Sequence, residues 1–214
     1  MVLAGGRSSR MKTLKGLLSF ENRPWLYHQY EQYGSVGGRQ ILTVLGHQAG
    51  EYFKAIPLLE ESLGSWKVLG KTLLCTLLNQ NPEKGPFSSL LTAADWLTTR
   101  SYPGLFLLPI DVPCPGEDFW EAMVAMVQEN PETKAFIPSY QGNAGHPVYL
   151  SSDFLNDLLG LCPDANDSRL DYQIRRLPHN EVRRFEVQDA RVAMNFNTPE
   201  QWISAAVELG SKRP

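Results

Sequence analysis

Residues able to handle phosphate gather at the start of the chain. The opening reads Leu3-Ala4-Gly5-Gly6-Arg7-Ser8-Ser9-Arg10-Met11-Lys12-Thr13-Leu14-Lys15, an apolar run that passes straight into a glycine pair, small hydroxyl residues and cations. Adjacent glycines let the backbone bend sharply and turn its N–H groups toward an anion, and without Cβ atoms a nucleotide can come close. Arg10, Lys12 and Lys15 can neutralise what the backbone cradles. Neither of the commonest phosphate loops is present: counting from Gly6, Met11 stands where a Walker A loop needs its second glycine, and no G-x-G-x-x-G can be read. The same residues also make sense as a strand-to-loop turn with solvated basic side chains.

A second centre lies mid-chain, where Leu105-Phe106-Leu107-Leu108-Pro109-Ile110-Asp111-Val112-Pro113 reads as a buried strand ending on a carboxylate. Open α/β sheets bind ligands outside the carboxyl ends of their strands, and Mg2+ prefers one or two carboxylates together with phosphate oxygens and water, which makes Asp111 the best metal ligand available. Asp and Pro also favour plain turns. Three further segments carry polar residues at element boundaries. Gly85-Pro86-Phe87-Ser88-Ser89-Leu90 is a turn followed by serines suited to a helix N-cap. Asn143-Ala144-Gly145-His146-Pro147-Val148 brings a histidine up to a strand, and Asn195-Phe196-Asn197-Thr198-Pro199-Glu200 is a capped helix start with two amides.

The elements that must position these residues alternate. Short runs rich in Val, Ile, Leu and Phe predict strands over Met1–Ala4, Gln40–Leu45, Trp66–Leu69, Leu73–Leu78, Gly104–Leu108, Ala135–Ser139 and Val182–Val187. Segments of helical period between them predict helices over Pro24–Tyr33, Ala49–Leu63, Ser88–Thr99, Glu117–Glu129, Ser151–Leu159 and Pro199–Leu209. Pro24 and Pro199 suit a first helical turn, with Thr198 as an N-cap. The polar stretch Leu161–Pro178 shows no clear period and is expected as a surface excursion. This alternation is that of an α/β protein with a mostly parallel sheet covered on both faces, within one domain over 1–214.

Composition narrows the partners. A net charge of −3 over 214 residues, with both signs interspersed, offers no long-range field for nucleic acid or an anionic membrane, so phosphate recognition must be local. No apolar run reaches membrane-spanning length, and Gly5, Gly6 and Arg7 interrupt the apolar start before it could act as a signal peptide, so a cytoplasmic protein is expected. Cys75, Cys114 and Cys162 are odd in number and far apart, which fits neither a disulfide framework nor a zinc site; all three are expected in or near the core.

The opening, with Leu14-Lys15-Gly16-Leu17-Leu18 following, resembles the signature L-A-[GA]-G-x-S-x-R-M-G-x-x-K-x-L-L of the molybdenum-cofactor nucleotidyltransferases, the guanylyl- and cytidylyltransferases that act on molybdopterin. The other motifs follow in family order as far as Trp202. Gly85–Leu90 resembles the family's second glycine motif, Gly145–Val148 the G-H-P-V of the cytidylyl branch, and Asn195–Glu200 the N-x-N-T-P-E-D of the guanylyl branch. The resemblance implies a Rossmann-like nucleotidyltransferase fold of the glycosyltransferase-A kind. It further implies a nucleotide over Leu3, Ala4, Gly5, Gly6 and Ser8, with Gly85, Pro86, Ser88 and Ser89 toward the base. Arg10 and Lys15 would hold the triphosphate, and Mg2+ would lie on Asp111, with Asn197 a weaker ligand. His146 is then a candidate for the acceptor phosphate, and Asn195 and Asn197 would be among the residues that bind the nucleotide and its metal. The implied reaction moves a nucleoside monophosphate from an NTP to a phosphorylated pterin-type acceptor with release of pyrophosphate, in a monomer or small homo-oligomer. Gly5 leaves room for the larger ring, so GTP is expected over CTP. Lys12 stands where the family has glycine, and family members have further apolar residues ahead of Leu3. The alternatives are a nucleotidyltransferase of the same fold acting on a sugar phosphate or another small phosphate, and a nucleotide-binding regulator with impaired catalysis.

Overall fold

Strands that are apolar at nearly every position need cover on both faces, and the chain supplies it from two sets of helices. The computed structural model describes residues 1–165 and 168–211. In chain order it runs β1 (Val2–Ala4), a hairpin of β2 (Ser19–Phe20) and β3 (Arg23–Pro24), α1 (Trp25–Ser35), β4 (Gln40–Leu45), α2 (Ala49–Ala55) and α3 (Leu58–Glu61). There follow β5 (Lys67–Leu69), β6 (Thr72–Leu78), α4 (Pro86–Thr98), β7 (Gly104–Pro109), α5 (Glu117–Glu129), β8 (Ala135–Tyr140), β9 (Asn143–Ala144) and β10 (Val148–Ser151). The chain closes with α6 (Ser152–Leu159), α7 (Leu170–Arg176), β11 (Val182–Glu186) and α8 (Pro199–Ser211).

All strands except the β2–β3 hairpin join one sheet, in the order β11-β8-β10-β7-β1-β4-β6-β5, with β9 paired to β8. The central strands β7, β1, β4 and β6 are parallel, as are β8 and β11, while β10 runs antiparallel between β7 and β8 and β5 antiparallel at the edge. The sheet is thus mostly parallel, as the alternation of elements predicts. From β1 the chain builds outward through β4 and β6, then crosses back to lay β7 on the other side of β1. That reversal makes the carboxyl ends of β1 and β7 the switch point where open α/β sheets hold their ligands.

One face is covered by α4, α6 and α7, through Phe87, Leu90, Leu97, Phe154, Leu158 and Ile174. The other is covered by α1, α2, α3 and α8, where Trp25, Tyr30, Tyr52, Leu59, Phe196 and Trp202 pack together. Phe119, Trp120 and Met123 of α5 add a third cluster against Phe136, Tyr149 and Val192. Among the described residues no helix is long and apolar enough to cross a membrane.

Several boundaries differ from those read in the sequence. The helix expected over Ala49–Leu63 is two, because Pro57 pushes Ile56 out of the helical region, to φ −137° and ψ 82°. Strand β10 is absent from the expected set. Helix α4 begins at Pro86 behind Gly85, whose φ of +83° suits glycine, and not at Ser88. The stretch Leu161–Pro178 contains α7, and its positions 166–167 lie outside the described residues. Cys75 and Cys114 are buried as expected, but Cys162 is exposed, because it precedes α7 on the segment crossing the surface.

Candidate active site

The glycine-rich loop leaves the carboxyl end of β1 and folds back on itself. Met11 N–H donates to the Ser8 carbonyl at 3.0 Å, and Lys15 N–H donates to Ser8 Oγ at 3.1 Å. Two residues of this loop take left-handed backbone, Ser8 at φ +50° and Lys12 at φ +58°. The second explains why a glycine would serve at position 12: a non-glycine side chain there carries a steric cost. After Lys15 the backbone is fixed by Tyr52, whose hydroxyl accepts from Gly16 N–H at 3.3 Å. A Cβ on Gly16 would stand 2.7 Å from the Tyr52 ring, so this glycine is required by close packing. Burial pushes the Tyr52 hydroxyl up to about 12, and it stays protonated.

Gly5 also serves packing. A Cβ there would lie 3.1 Å from Ser89 Oγ and 3.3 Å from the Gly46 nitrogen, so an alanine methyl at this position would meet the protein itself and not a base ring. Gly46, at the end of β4, is in turn held against Gly5, with His47 N–H donating to the Gly5 carbonyl at 3.1 Å. Gly46 is not among the expected site residues, and its signal in the sequence is a glycine directly after an apolar strand.

Asp111 follows β7 and faces the loop. Lys15 Nζ donates to Asp111 Oδ2 at 2.7 Å and to Asn197 Oδ1 at 2.9 Å, and Arg10 Nη2 donates to the same Asn197 oxygen at 3.1 Å. Positions 10, 15, 111 and 197 thus meet at one point, although they come from three separate parts of the chain. An aromatic cluster sets that meeting. Trp25 Nε1–H donates to the Ile110 carbonyl at 2.7 Å, and Phe196 N–H donates to the Asp111 carbonyl at 3.2 Å. The rings of Trp25, Phe196 and Trp202 pack with centroids 4.8–5.7 Å apart, so the residues next to Asp111 and Asn197 are anchored in one buried group. Thr198 and Gln201 close a capping box at the start of α8: Gln201 N–H donates to Thr198 Oγ1 at 3.4 Å and Thr198 N–H to Gln201 Oε1 at 3.2 Å. Asn197 N–H also donates to Gln201 Oε1, at 2.7 Å.

Arg10, Lys15, Asp111 and Asn197 line a cleft of about 1200 Å3. Leu3, Ala4, Gly5, Gly6, Ser8, Gly85, Pro86, Ser89 and His146 line it too. Two predicted residues do not. Ser88 is buried in the first turn of α4, where its hydroxyl accepts from Asn79 Nδ2 at 2.7 Å and donates to the Gly85 carbonyl at 2.7 Å; it shapes the turn and does not line the cleft. Asn195 stands behind Asn197, accepting from its amide at 3.2 Å. His146 follows Gly145, which packs against the Val192 carbonyl, and its Nδ1 lies 3.4 Å from the Leu107 carbonyl. Burial lowers the His146 pKa, so near neutral pH the ring is uncharged; with its one N–H on Nδ1, toward the Leu107 carbonyl, Nε2 is left as an acceptor and gives an anion no donor.

The cleft extends beyond the predicted set. Lys84 ties the 82–85 turn to the segment before α7 through an ion pair with Asp164 at 2.8 Å. Arg169 and Arg175 share Asp171, at 3.0 and 3.6 Å, and Arg184 of β11 lines the same wall. With Arg7, Arg10 and Lys15 that makes seven basic side chains against the three acidic ones, Glu83, Asp111 and Asp171, in a protein whose net charge is −3. The positive field is local, as phosphate recognition by such a protein requires. Spacing alone could have pointed to α7, because Leu170, Ile174 and Leu177 recur at helical intervals within the polar stretch.

No group of three or more His, Cys, Asp or Glu residues suited to hold a metal occurs among the described residues. Asp111 Oδ2 and Asn197 Oδ1 nevertheless converge on one cation, the Lys15 ammonium, and one carboxylate with one amide oxygen is a donor set that Mg2+ completes with phosphate oxygens and water.

The chain is similar to known proteins over most of its length. Residues 1–182 match the family model described as the MobA-like NTP transferase domain. No curated protein matches the chain. Among solved structures, Rv0371c from Mycobacterium tuberculosis H37Rv is similar with a TM-score of 0.70 at 22% identity, covering 96% of each chain. The CMP:2-keto-3-deoxy-manno-octonic acid synthetase complexed with CTP is similar with a TM-score of 0.70 at 14% identity, covering 99% of this chain and 98% of that one. Molybdopterin-guanine dinucleotide biosynthesis protein A from Archaeoglobus fulgidus is similar with a TM-score of 0.64 at 17% identity, covering 99% and 98%. A glycine-rich loop, an acidic strand end and a basic cleft at the switch point of this sheet therefore coincide with the family match, and the chain belongs to the MobA-like NTP transferase family of nucleotidyltransferases.

Proposed function

We propose that the chain transfers a nucleoside monophosphate from an NTP, GTP favoured over CTP, to a phosphorylated pterin-type acceptor such as molybdopterin. The observation that carries this reading is the convergence of Arg10, Lys15, Asp111 and Asn197 beside the Gly5–Ser9 loop. The loop backbone and Arg10 hold the triphosphate, and Lys15 neutralises charge on the departing pyrophosphate. An acceptor phosphate oxygen attacks the α-phosphorus while the bond to pyrophosphate breaks on the opposite side. That exchange needs neither a covalent enzyme intermediate nor a proton transfer. A divalent cation such as Mg2+, held by Asp111 and Asn197, would neutralise charge between the phosphates. His146, neutral and with Nε2 as an acceptor, would take a hydrogen bond from an N–H or O–H of the acceptor molecule.

The acceptor half of the cleft supports the pterin-type reading. Its inner wall is apolar, formed by Leu107, Ile137, Val148 and Ile174, and arginines stand at its outer end. A flat ring system carrying an anionic group suits that wall better than a polyol, whose hydroxyls would need polar partners there. GTP is favoured on the resemblance of Gly85-Pro86 and on the size of the cleft, and no longer on room at Gly5.

The test is a transfer assay in which GTP, CTP, ATP and UTP are each offered with Mg2+ and either molybdopterin or a panel of sugar phosphates, with products read by mass spectrometry. A guanylylated pterin is the expected product. A nucleotidylated sugar, or no product with any acceptor despite tight NTP binding, would overturn the reading.

A further inference from the structure

Lys15 faces two demands. Its ammonium occupies the two oxygens, Asp111 Oδ2 and Asn197 Oδ1, that the proposed function assigns to a divalent cation. The same function requires it on the phosphates. The Lys15–Asp111 pair is sheltered, with side chains only 13% and 23% exposed, so water screens it weakly. Arg10 brings a second positive charge onto the Asn197 oxygen. A dication arriving on this carboxylate with Lys15 still in place would meet a cation at contact range with little solvent between them.

The local structure allows Lys15 to leave without disturbing the loop. Its backbone N–H is held by Ser8 Oγ, and the next residue is held by Tyr52, so only the flexible four-carbon side chain has to move. Both of its destinations border one cleft.

We infer that Lys15 is a counter-ion gate on the metal site: it holds the metal's two oxygen donors until a nucleotide triphosphate draws it away, so that divalent metal binds this chain strongly only together with nucleotide. The inference rests on the reading that Asp111 and Asn197 hold the metal. It adds that Lys15 opposes metal in the nucleotide-free protein and favours nucleotide in its presence. By linkage, whatever factor the triphosphate adds to metal affinity the metal adds to triphosphate affinity.

Titration of the full chain with Mn2+ in the absence of nucleotide, with free Mn2+ counted by electron paramagnetic resonance, tests the gate. Wild type is expected to bind Mn2+ weakly, while Lys15→Met and Lys15→Gln bind it about tenfold or more tightly, on the usual scale for removing a like charge from contact range. Lys15→Arg, which keeps the charge, is expected to stay weak. Addition of a non-hydrolysable NTP should abolish or reverse the advantage of Lys15→Met. Unchanged Mn2+ affinity in folded Lys15→Met and Lys15→Gln overturns the gate. Loss of Mn2+ binding in Asp111→Asn, in the same series, would show that the metal site itself still stands. If instead Asp111→Asn leaves Mn2+ binding untouched with and without NTP, the metal assignment has failed and the gate falls with it. Should the Lys15 variants not fold, amine labelling of the nucleotide-free protein decides: Asp111→Asn must raise the labelling of Lys15 relative to Lys12, and equal labelling overturns the gate.

Discussion

Trp25→Phe tests whether the aromatic cluster holds the carboxylate in place. Trp25 is 1% exposed, and its indole N–H is the hydrogen-bond partner of the Ile110 carbonyl, one residue before Asp111. Phenylalanine keeps a ring against Phe20, Phe196 and Trp202 but removes the donor and part of the volume. Stranding a buried carbonyl costs about 1–3 kcal/mol. The lost ring atoms cost roughly a further 1–2 kcal/mol, scaled down from a full aromatic deletion. The sum, about 2–5 kcal/mol, is a large part of a typical stability of about 5–15 kcal/mol and should lower the melting temperature by roughly 5–15 °C. Because the freed backbone is the one that presents Asp111, the metal-dependent part of NTP affinity should fall by about tenfold or more, as expected when a positioned ligand is released. The control is Trp202→Phe, which thins the same cluster, although Trp202 makes no ring N–H hydrogen bond among the described residues. Calorimetric titration of a non-hydrolysable NTP with and without Mg2+, alongside thermal melts, provides both quantities. If the two variants lose equal stability and both keep wild-type metal-dependent affinity, Trp25 is packing and not a tether.

Asp111→Ala should abolish transfer while circular dichroism stays native, since the carboxylate is partly exposed and its removal leaves the core intact; wild-type turnover in a folded variant would remove Asp111 from the mechanism. Lys12→Gly should leave stability unchanged or raise it by up to about 1 kcal/mol in urea melts, because it relieves left-handed backbone at an exposed side chain. Gly16→Ala should cost about 1–3 kcal/mol in the same melts, because the new methyl meets the buried Tyr52 ring. His146 has a folded pKa below its ordinary value of 6.5, so the unfolded chain takes up its proton first; its contribution is intact above about 6.5 and is lost as pH falls below that value. His146→Gln should therefore lose less stability than wild type between pH 6.5 and 5, and parallel pH profiles would count against a buried neutral ring.

Much of this protein was legible from short-range pattern. The alternation of apolar runs with helical periods predicts an α/β protein with a mostly parallel sheet, because burial on two faces demands nearly continuous apolar strands. The glycine loop with Arg10 and Lys15 and the strand end at Asp111 could be named from residue type, since each lies at an element boundary that local rules mark, whereas Asn197 is named through the family resemblance. What no local rule could supply was which of them meet. Lys15 reaches Asp111 and Asn197 only because β7 returns beside β1 and because Trp25 and Phe196, from opposite ends of the chain, share one buried cluster. The tertiary structure alone also decided that Ser88 turns inward, that Gly5 is bare to make room for Ser89 and Gly46, and that α7 brings arginines to the cleft. Side-chain chemistry is written residue by residue, but close approach is set by packing between segments far apart in the chain, and packing admits one arrangement of them.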